Sequence, residues 1–323
     1  MKKYIYLLSW ILIAGFAACK EEDFSAEEHY KYVVYLLSTE NYNVYQEVFP
    51  FDNGNEVKGY FSVGCGGSLT NPEAFTVELE KDTVLFDYYN KANFDIDVTK
   101  YANLLPENRY EIETSAVTFP EKNPDQYVKV AVSVKPDGLS PDSIYFIPVS
   151  IKSVSKYEVN PEKQNLLIRV ALSNYYAEQL NTTYYQMKGN VLDENGDPVS
   201  TLATTKLARP LTKNAIRIYA GNMAQTTSSS YEDIRKYSIV VSVDENKRVQ
   251  IAPYGSIEIE QLNDGEEPWN SYTEARANAV DETIIKWFYL HYRYRTLKTP
   301  ATETTPAVYN NWVTVKETLK RLE

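Results

Sequence analysis

Four valines spaced two residues apart, Val128, Val130, Val132 and Val134, alternate with Tyr127, Lys129, Ala131 and Ser133. Successive side chains of an extended chain point to opposite faces, so the pattern describes a half-buried strand. Similar short runs recur at Tyr32 to Leu37, Phe75 to Leu79, Ile144 to Val149 and Leu166 to Leu172. Turn-forming clusters separate them: D-N-G-N from Asp52, K-P-D-G from Lys135 and N-P-E-K from Asn160. Short strands with this punctuation point to a β-sandwich. Asp82 to Asn103, rich in Tyr and Asn, interrupts the pattern and predicts a loop or one short helix.

A second series of strands is expected at Tyr184 to Leu192, Ala215 to Ala220, Tyr237 to Val243, Arg248 to Ile251, Ser256 to Leu262 and Ile284 to Tyr294. D-E-N-G-D-P from Asp193 and D-E-N-K from Asp244 are expected to be hairpin turns. E-A-R-A-N-A-V from Glu274 reads as a brief helix. The polar stretch from Ser173 to Asn181 is the expected boundary, and about 150 residues per module suits a chain of 323. The fold class is therefore all-β, in two modules spanning 31–173 and 174–323.

The N-terminus has the build of a secretory signal. Lys2 and Lys3 precede an uncharged run from Tyr4 to Ala18, and Ala17 and Ala18 offer a small-residue processing site. That run is shorter than the roughly 20 apolar residues a membrane-spanning helix needs. Removing residues 1–18 would make a chain of formal charge −11 more acidic still. A phosphate backbone is bound largely by Lys and Arg, so nucleic acid is excluded as an expected partner.

Reactive side chains are few. The two cysteines, Cys19 and Cys65, make no disulfide framework, and Cys65 in G-C-G-G reads as a small buried or turn residue. His29 lies in a charged segment. Alternation places Trp287, Tyr289, His291, Arg293 and Arg295 on one face of a strand, with Phe288, Leu290, Tyr292 and Tyr294 on the other. No metalloprotease, nucleophile-elbow or phosphate-loop motif occurs. Asp193 to Asp197 lacks the distal Glu of a calcium loop. The acidic pairs Asp95 and Asp97, Glu266 and Glu267, and Asp281 and Glu282 fall in polar stretches, so a glycoside hydrolase is the least favoured function. No cofactor, metal site or catalytic residue is expected.

Aromatic residues are the richer resource, with 28 Tyr and 4 Trp. Sugar rings present apolar C–H faces, for which an exposed Trp or Tyr is a platform while polar neighbours read the hydroxyls. The best local candidate is D-G-E-E-P-W-N-S-Y from Asp264, with Trp269 and Tyr272 beside Glu267 and Asn270. Against it stands the plainer reading of a loop aromatic folded onto a barrel end. Trp287 and Trp312, in strand-like runs, are expected in the core.

Cys19-Lys20-Glu21-Glu22-Asp23 resembles a bacterial lipoprotein signal followed by the surface-export signal of Bacteroidetes lipoproteins, though Phe16 stands where that family prefers Leu. The resemblance implies cleavage before Cys19, acylation of its thiol and a lipid-anchored chain at the outer face of the outer membrane. Two or more acyl chains hold firmly where one holds marginally. Lys20, Glu21, Glu22 and Asp23 would be the export signal and residues 19–30 an acidic tether.

Y-Y-N at Tyr88 to Asn90, L-P-E-N-R-Y at Leu105 to Tyr110 and Y-F-I-P-V-S-I from Tyr145 resemble the N-terminal domain of unknown function of lipoproteins from Bacteroidetes polysaccharide-utilisation loci. That domain implies an immunoglobulin-like β-sandwich. F-P-E-K-N-P-D-Q from Phe119 departs from the family and predicts a longer hairpin loop. L-N-T-T-Y-Y-Q-M-K-G from Leu180 and F-Y-L-H-Y-R-Y-R from Phe288 are similar to the C-terminal β-domains found downstream, implying an antiparallel barrel-like (lipocalin-like) or sandwich module. Asp82-Thr83-Val84 and Asp142-Ser143-Ile144 resemble O-glycosylation acceptors, which would require exposed loops. The expected function is a non-catalytic surface lipoprotein that binds a polysaccharide or oligosaccharide, or assists an outer-membrane importer. The alternative is an adhesive protein that contacts another protein.

Overall fold

The computed structural model describes residues 28–322 except 40, 227–228, 264 and 278–282. The signal-like segment, with Cys19, Lys20, Glu21, Glu22 and Asp23, lies outside the described residues, as do Asp281 and Glu282.

The first module comprises β1 (Val33–Leu36), β2 (Val44–Pro50), β3 (Val57–Gly66), β4 (Phe75–Glu80), β5 (Asn103–Leu104) and β6 (Tyr110–Ile112). It continues through β7 (Ala116–Phe119), β8 (Tyr127–Val134), β9 (Tyr145–Val154), β10 (Glu158–Val159) and β11 (Asn165–Ser173). One sheet runs β10-β1-β3-β8-β6; the other runs β2-β11-β9-β4-β7, with β5 added alongside β9. Their facing sides bury one core containing Phe49, Phe61, Phe119, Val132, Ile147 and Ile168. Phe75 and Phe119 stack at 4.5 Å between centroids. Cys65 is buried in this core, and desolvation, with the Glu28 charge nearby, pushes its thiol up to about 11. It is an inert filler.

The interruption at Asp82 resolves into an 11-residue helix, α1 (Val84–Phe94). Phe86 turns inward with Ala102, Phe146 and Leu167 beneath it. The Asn90 amide accepts from Ala102 N at 2.8 Å and donates to Ala102 O at 3.2 Å, pinning the returning chain. The expected hairpin after Phe119 is instead a crossing between sheets: β7 belongs to one and β8 to the other. Asn71 holds this crossing, donating to Pro120 O at 2.7 Å and accepting from Asn123 N at 3.1 Å.

The second module contains β12 (Thr183–Leu192), β13 (Pro198–Thr212), β14 (Ala215–Tyr219), β15 (Ser238–Val243), β16 (Val249–Pro253) and β17 (Glu258–Gln261). After them come β18 (Ser271–Arg276), β19 (Ile284–Arg295), β20 (Leu297–Thr299), β21 (Val308–Tyr309) and β22 (Val313–Leu322). A sheet in the order β16-β15-β14-β13-β12-β22-β19-β17, with β18 also on β19, curls into a nearly closed barrel. The ends meet through the Gln261 side chain, which accepts from Ile251 N at 2.8 Å and donates to Val249 O at 3.1 Å. Short α2 (Tyr231–Tyr237) is capped by Ser230, whose hydroxyl accepts from Asp233 N.

The barrel is filled by its own side chains, among them Tyr185, Met187, Ile218, Val241, Phe288, Leu290 and Leu319. The alternation expected along β19 holds: Phe288, Leu290, Tyr292 and Tyr294 point inward. Among the inward groups are Lys206 and Glu317, both side chains fully buried, with Nζ 2.7 Å from Oε1. Tyr292 donates to the same carboxylate at 3.0 Å. Gly189, paired with Glu317, has no alternative residue, because a Cβ there would sit 2.3 Å from Lys316 O. The segment from Glu274, expected to be helical, begins in β18, where pairing with β19 overrides its helix-forming alanines.

The modules meet through specific polar contacts. Arg217, fully buried on β14, forms a bidentate ion pair with Asp142 of the first module. Gln179 donates to Pro141 O at 2.9 Å and Ser143 O at 3.0 Å. Lys213 reaches Asp52 at 2.6 Å. The Asp142-Ser143-Ile144 tripeptide is thus a junction element rather than a free loop.

Candidate functional site

The four residues singled out between Glu267 and Tyr272 part company in the structure. Tyr272 is 2% exposed and belongs to the barrel core, its ring 5.0 Å from Phe288 and its hydroxyl donating to Glu274 at 2.9 Å. This corrects its expected place in a polar loop: it lies on β18, facing inward. Asn270 is also buried, and it ties the loop down. Its backbone takes a left-handed φ of 56°, which Asn tolerates. Its amide donates to Leu262 O at 2.7 Å and Asn263 at 3.0 Å, while its Oδ1 accepts from His291 N at 3.0 Å. Glu267 is exposed, preceding Pro268 through a cis peptide.

Trp269 remains at the surface. Its indole stands edge-on to Tyr289 and His291, with centroids 6.4 and 6.3 Å away. The Lys316 ammonium lies 5.4 Å from the ring centroid and reaches Glu266 at 2.7 Å. These contacts fix the ring in place and leave it partly buried.

Trp269 borders a trough on the outer wall of the barrel. The floor comes from outward positions of three neighbouring strands: Asn190 on β12 pairs with Lys316 on β22, which pairs with His291 on β19. One register step away, Leu192, Thr314 and Arg293 line up in the same manner. The hairpin turn Asp193 to Asp197 forms a flank, its Asp193 carboxylate accepting from the amides of Asn195 and Asp197 at 2.9 Å each. Two hollows of about 620 and 940 Å³ share Leu192, Gly196 and Lys316. Small-molecule sites commonly span roughly 300–1,000 Å³.

The second hollow is bordered by Trp312. Expected in the core, this tryptophan is instead 36% exposed, lying over the guanidinium groups of Arg293 and Arg295 at 4.9 and 4.8 Å. Those arginines are held from below, Arg293 by Glu260 and Arg295 by Glu258, each at 2.5 Å. Trp287 is likewise on the outer face, with Lys320 6.0 Å from its ring. The trough therefore has an indole at each end and carboxylates, amides and cations between them.

Such a surface can stack on apolar ring faces and exchange hydrogen bonds with hydroxyls. Among the described residues no group of three His, Cys, Asp or Glu side chains is arranged to hold a metal. Sequence reasoning found Trp269 and the outward face of β19 but missed Trp312, Asn190 and Lys316. Their signal is long-range register between β12, β19 and β22, which adjacent residues do not carry.

Two family models match the chain, one described as an N-terminal domain over residues 29–158 and one as a C-terminal domain over residues 164–320. The second begins just before β11, although that strand pairs with β9 and β2 of the sandwich. No curated protein matches significantly. Among solved structures, a structural-genomics protein of unknown function from Bacteroides ovatus superposes with a TM-score of 0.66 at 15% identity, covering 90% of this chain and 94% of its own. A multidomain protein including DUF1735 from the same species gives 0.63 at 15% identity, with the same two coverages. An auxiliary nutrient binding protein from Bacteroides thetaiotaomicron gives 0.57 at 15% identity, over 88% of this chain and 94% of that one. The chain is a two-domain all-β protein, with an N-terminal and a C-terminal family domain and the fold of these Bacteroides proteins.

Proposed function

We propose that this protein is a non-catalytic, lipid-anchored surface protein that captures a polysaccharide or oligosaccharide in the trough between Trp269 and Trp312. The carrying observation is the pair of rigidly braced indoles at the two ends of a polar floor. Aromatic faces bind the C–H faces of sugars, and Asn190, Lys316, Arg293 and the Asp193 turn are in position to read hydroxyls. The similarity in fold to an auxiliary nutrient binding protein is in keeping with this role. The lipid at Cys19 would hold the chain at the outer membrane, next to an importer that takes up what is captured.

Isothermal titration against a panel of host and plant polysaccharides tests the reading. At least one glycan should bind, and Trp269→Ala and Trp312→Ala should each weaken it about tenfold or more with folding intact, each removing a stacking contact of about 1.4 kcal/mol. Binding undiminished in both variants, or no binding by any glycan, would overturn it. A second reading, contact with another protein, is favoured by the outer face of α1 and the turn after it, where Val84, Tyr88, Ile96 and Val98 are 61–88% exposed.

A further inference from the structure

The junction between the modules contains an imbalance of charge that the fold by itself does not resolve. Arg209 on β13 and Arg217 on β14 are direct cross-strand partners, and Arg169 of β11 lines the same hollow. Like charges placed opposite each other on a sheet repel. One carboxylate, Asp142, is engaged with them, and Arg217 takes both its oxygens. Among the described residues, Arg209 is left with a single long hydrogen bond, from Nη1 to Gln179 O at 3.4 Å, and its Nε is buried without a partner. Burial, together with Arg217 and Arg169, pulls its guanidinium below the ordinary value despite Asp142.

An acceptor is stranded beside these donors. Gln225 is 7% exposed and lines the same hollow, and its Oε1 has no partner among the described residues. Buried polar atoms left unmatched cost about 1–3 kcal/mol each, so a pocket holding both an orphan donor and an orphan acceptor is unusual for a purely structural joint. The hollow measures about 360 Å³, the space of one sugar-sized ligand, and Ser229 completes its rim. In a chain of formal charge −11, this is a concentrated positive spot.

We propose that this hollow is an oxyanion site, taking a carboxylate or sulfate group, free or carried on a single sugar unit. Arg209 and Arg169 bind the charged oxygens, and Gln225 accepts from a hydroxyl or other donor on the ligand. Because its walls come from both modules, the bound ligand also fastens the sandwich to the barrel. The site is separate from the trough, so it stands or falls independently of the proposed glycan capture.

The test is thermal unfolding and calorimetric titration of the signal-free chain at low ionic strength. The probes are sodium sulfate, inorganic phosphate, glucuronate, a glucose sulfate and neutral glucose, with sodium chloride at matched ionic strength as the control. Ligands that bind the folded state raise the unfolding temperature. The oxyanions should raise it where chloride and glucose do not, and Arg169→Gln should weaken binding roughly tenfold or more. Arg209→Gln should abolish the response without lowering the unliganded unfolding temperature, since it removes an unbalanced buried charge. Gln225→Leu should weaken glucuronate or the glucose sulfate but not sulfate if a sugar unit is the ligand. No effect of that change on any anion would make the free ion the ligand, whereas an equal loss for sulfate, which has no donor to offer, would overturn the role given to Gln225. A response no larger than that of chloride, or one fully retained in Arg169→Gln, would overturn the proposal.

Discussion

Lys206 and Glu317 meet inside the barrel, 111 residues apart in sequence, with Nζ 2.7 and 2.8 Å from the two carboxylate oxygens. Burial pushes the lysine down and the glutamate up, each toward its neutral form, while their mutual attraction and the Tyr292 hydroxyl oppose the change. Breaking such a pair leaves an uncompensated interior charge, at a cost of about 3–5 kcal/mol. Glu317→Ala and Lys206→Ala should each show that loss in urea unfolding. The double change Lys206→Met with Glu317→Leu should recover most of it, because the desolvation cost vanishes with both charges.

Arg217 offers a test of how the modules are joined. Its ion pair with Asp142 bridges them, and its guanidinium lies 4.9 Å from the Tyr254 ring. Asp142→Ala should cost about 1.5–3 kcal/mol, the range for hydrogen bonds to charged groups. Scanning calorimetry should then resolve two transitions where the wild type is expected to show one.

Glu28 supplies a pH prediction. Partial desolvation would raise its carboxyl, but the amides of Ser68, Leu69 and Tyr30 outweigh this and lower it from 4.5 to about 2. A carboxylate with a depressed folded-state value contributes its full share above the unfolded value near 4.5. That share fades as pH falls from there toward about 2. Hydrogen exchange at Ser68 and Leu69, in the bend after β3, should therefore quicken relative to the β-sheet amides as pH drops through this window. Glu28→Gln should remove the pH dependence.

Strand alternation alone makes β19 legible in the sequence, down to which aromatic faces which side. The terminal strand β22 is not legible in that way, since Glu317 occupies a core position where an apolar residue would complete the pattern. Trp312 escapes the pattern for a related reason. It precedes β22 on the side of Thr314 and Lys316, the outward one, and its ring lies over the guanidinium groups of Arg293 and Arg295. Helix α2 is signalled only by Ser230 and the acids Glu232 and Asp233 after it, a short capping pattern that is easily passed over. What sequence alone conveys is periodicity within a strand; the trough depends on register between strands, set by the whole barrel.

The lipid anchor proposed at Cys19 carries its own expectation. Cys19→Ala should abolish incorporation of labelled palmitate and release the protein from the membrane fraction. Scrambling Lys20 to Asp23 should leave it lipidated yet inaccessible to antibody on intact cells. Labelled, surface-exposed Cys19→Ala protein would contradict the anchor.

The packed interior of the barrel has a kinetic corollary. With Tyr185, Met187, Phe288 and Leu290 occupying the lumen, a glycan held in the proposed trough would rest on the outer wall, in contact with water. Release from such a berth waits on no conformational change, so residence is governed by contact energy alone. A glycan captured in the proposed trough would therefore be passed along instead of stored.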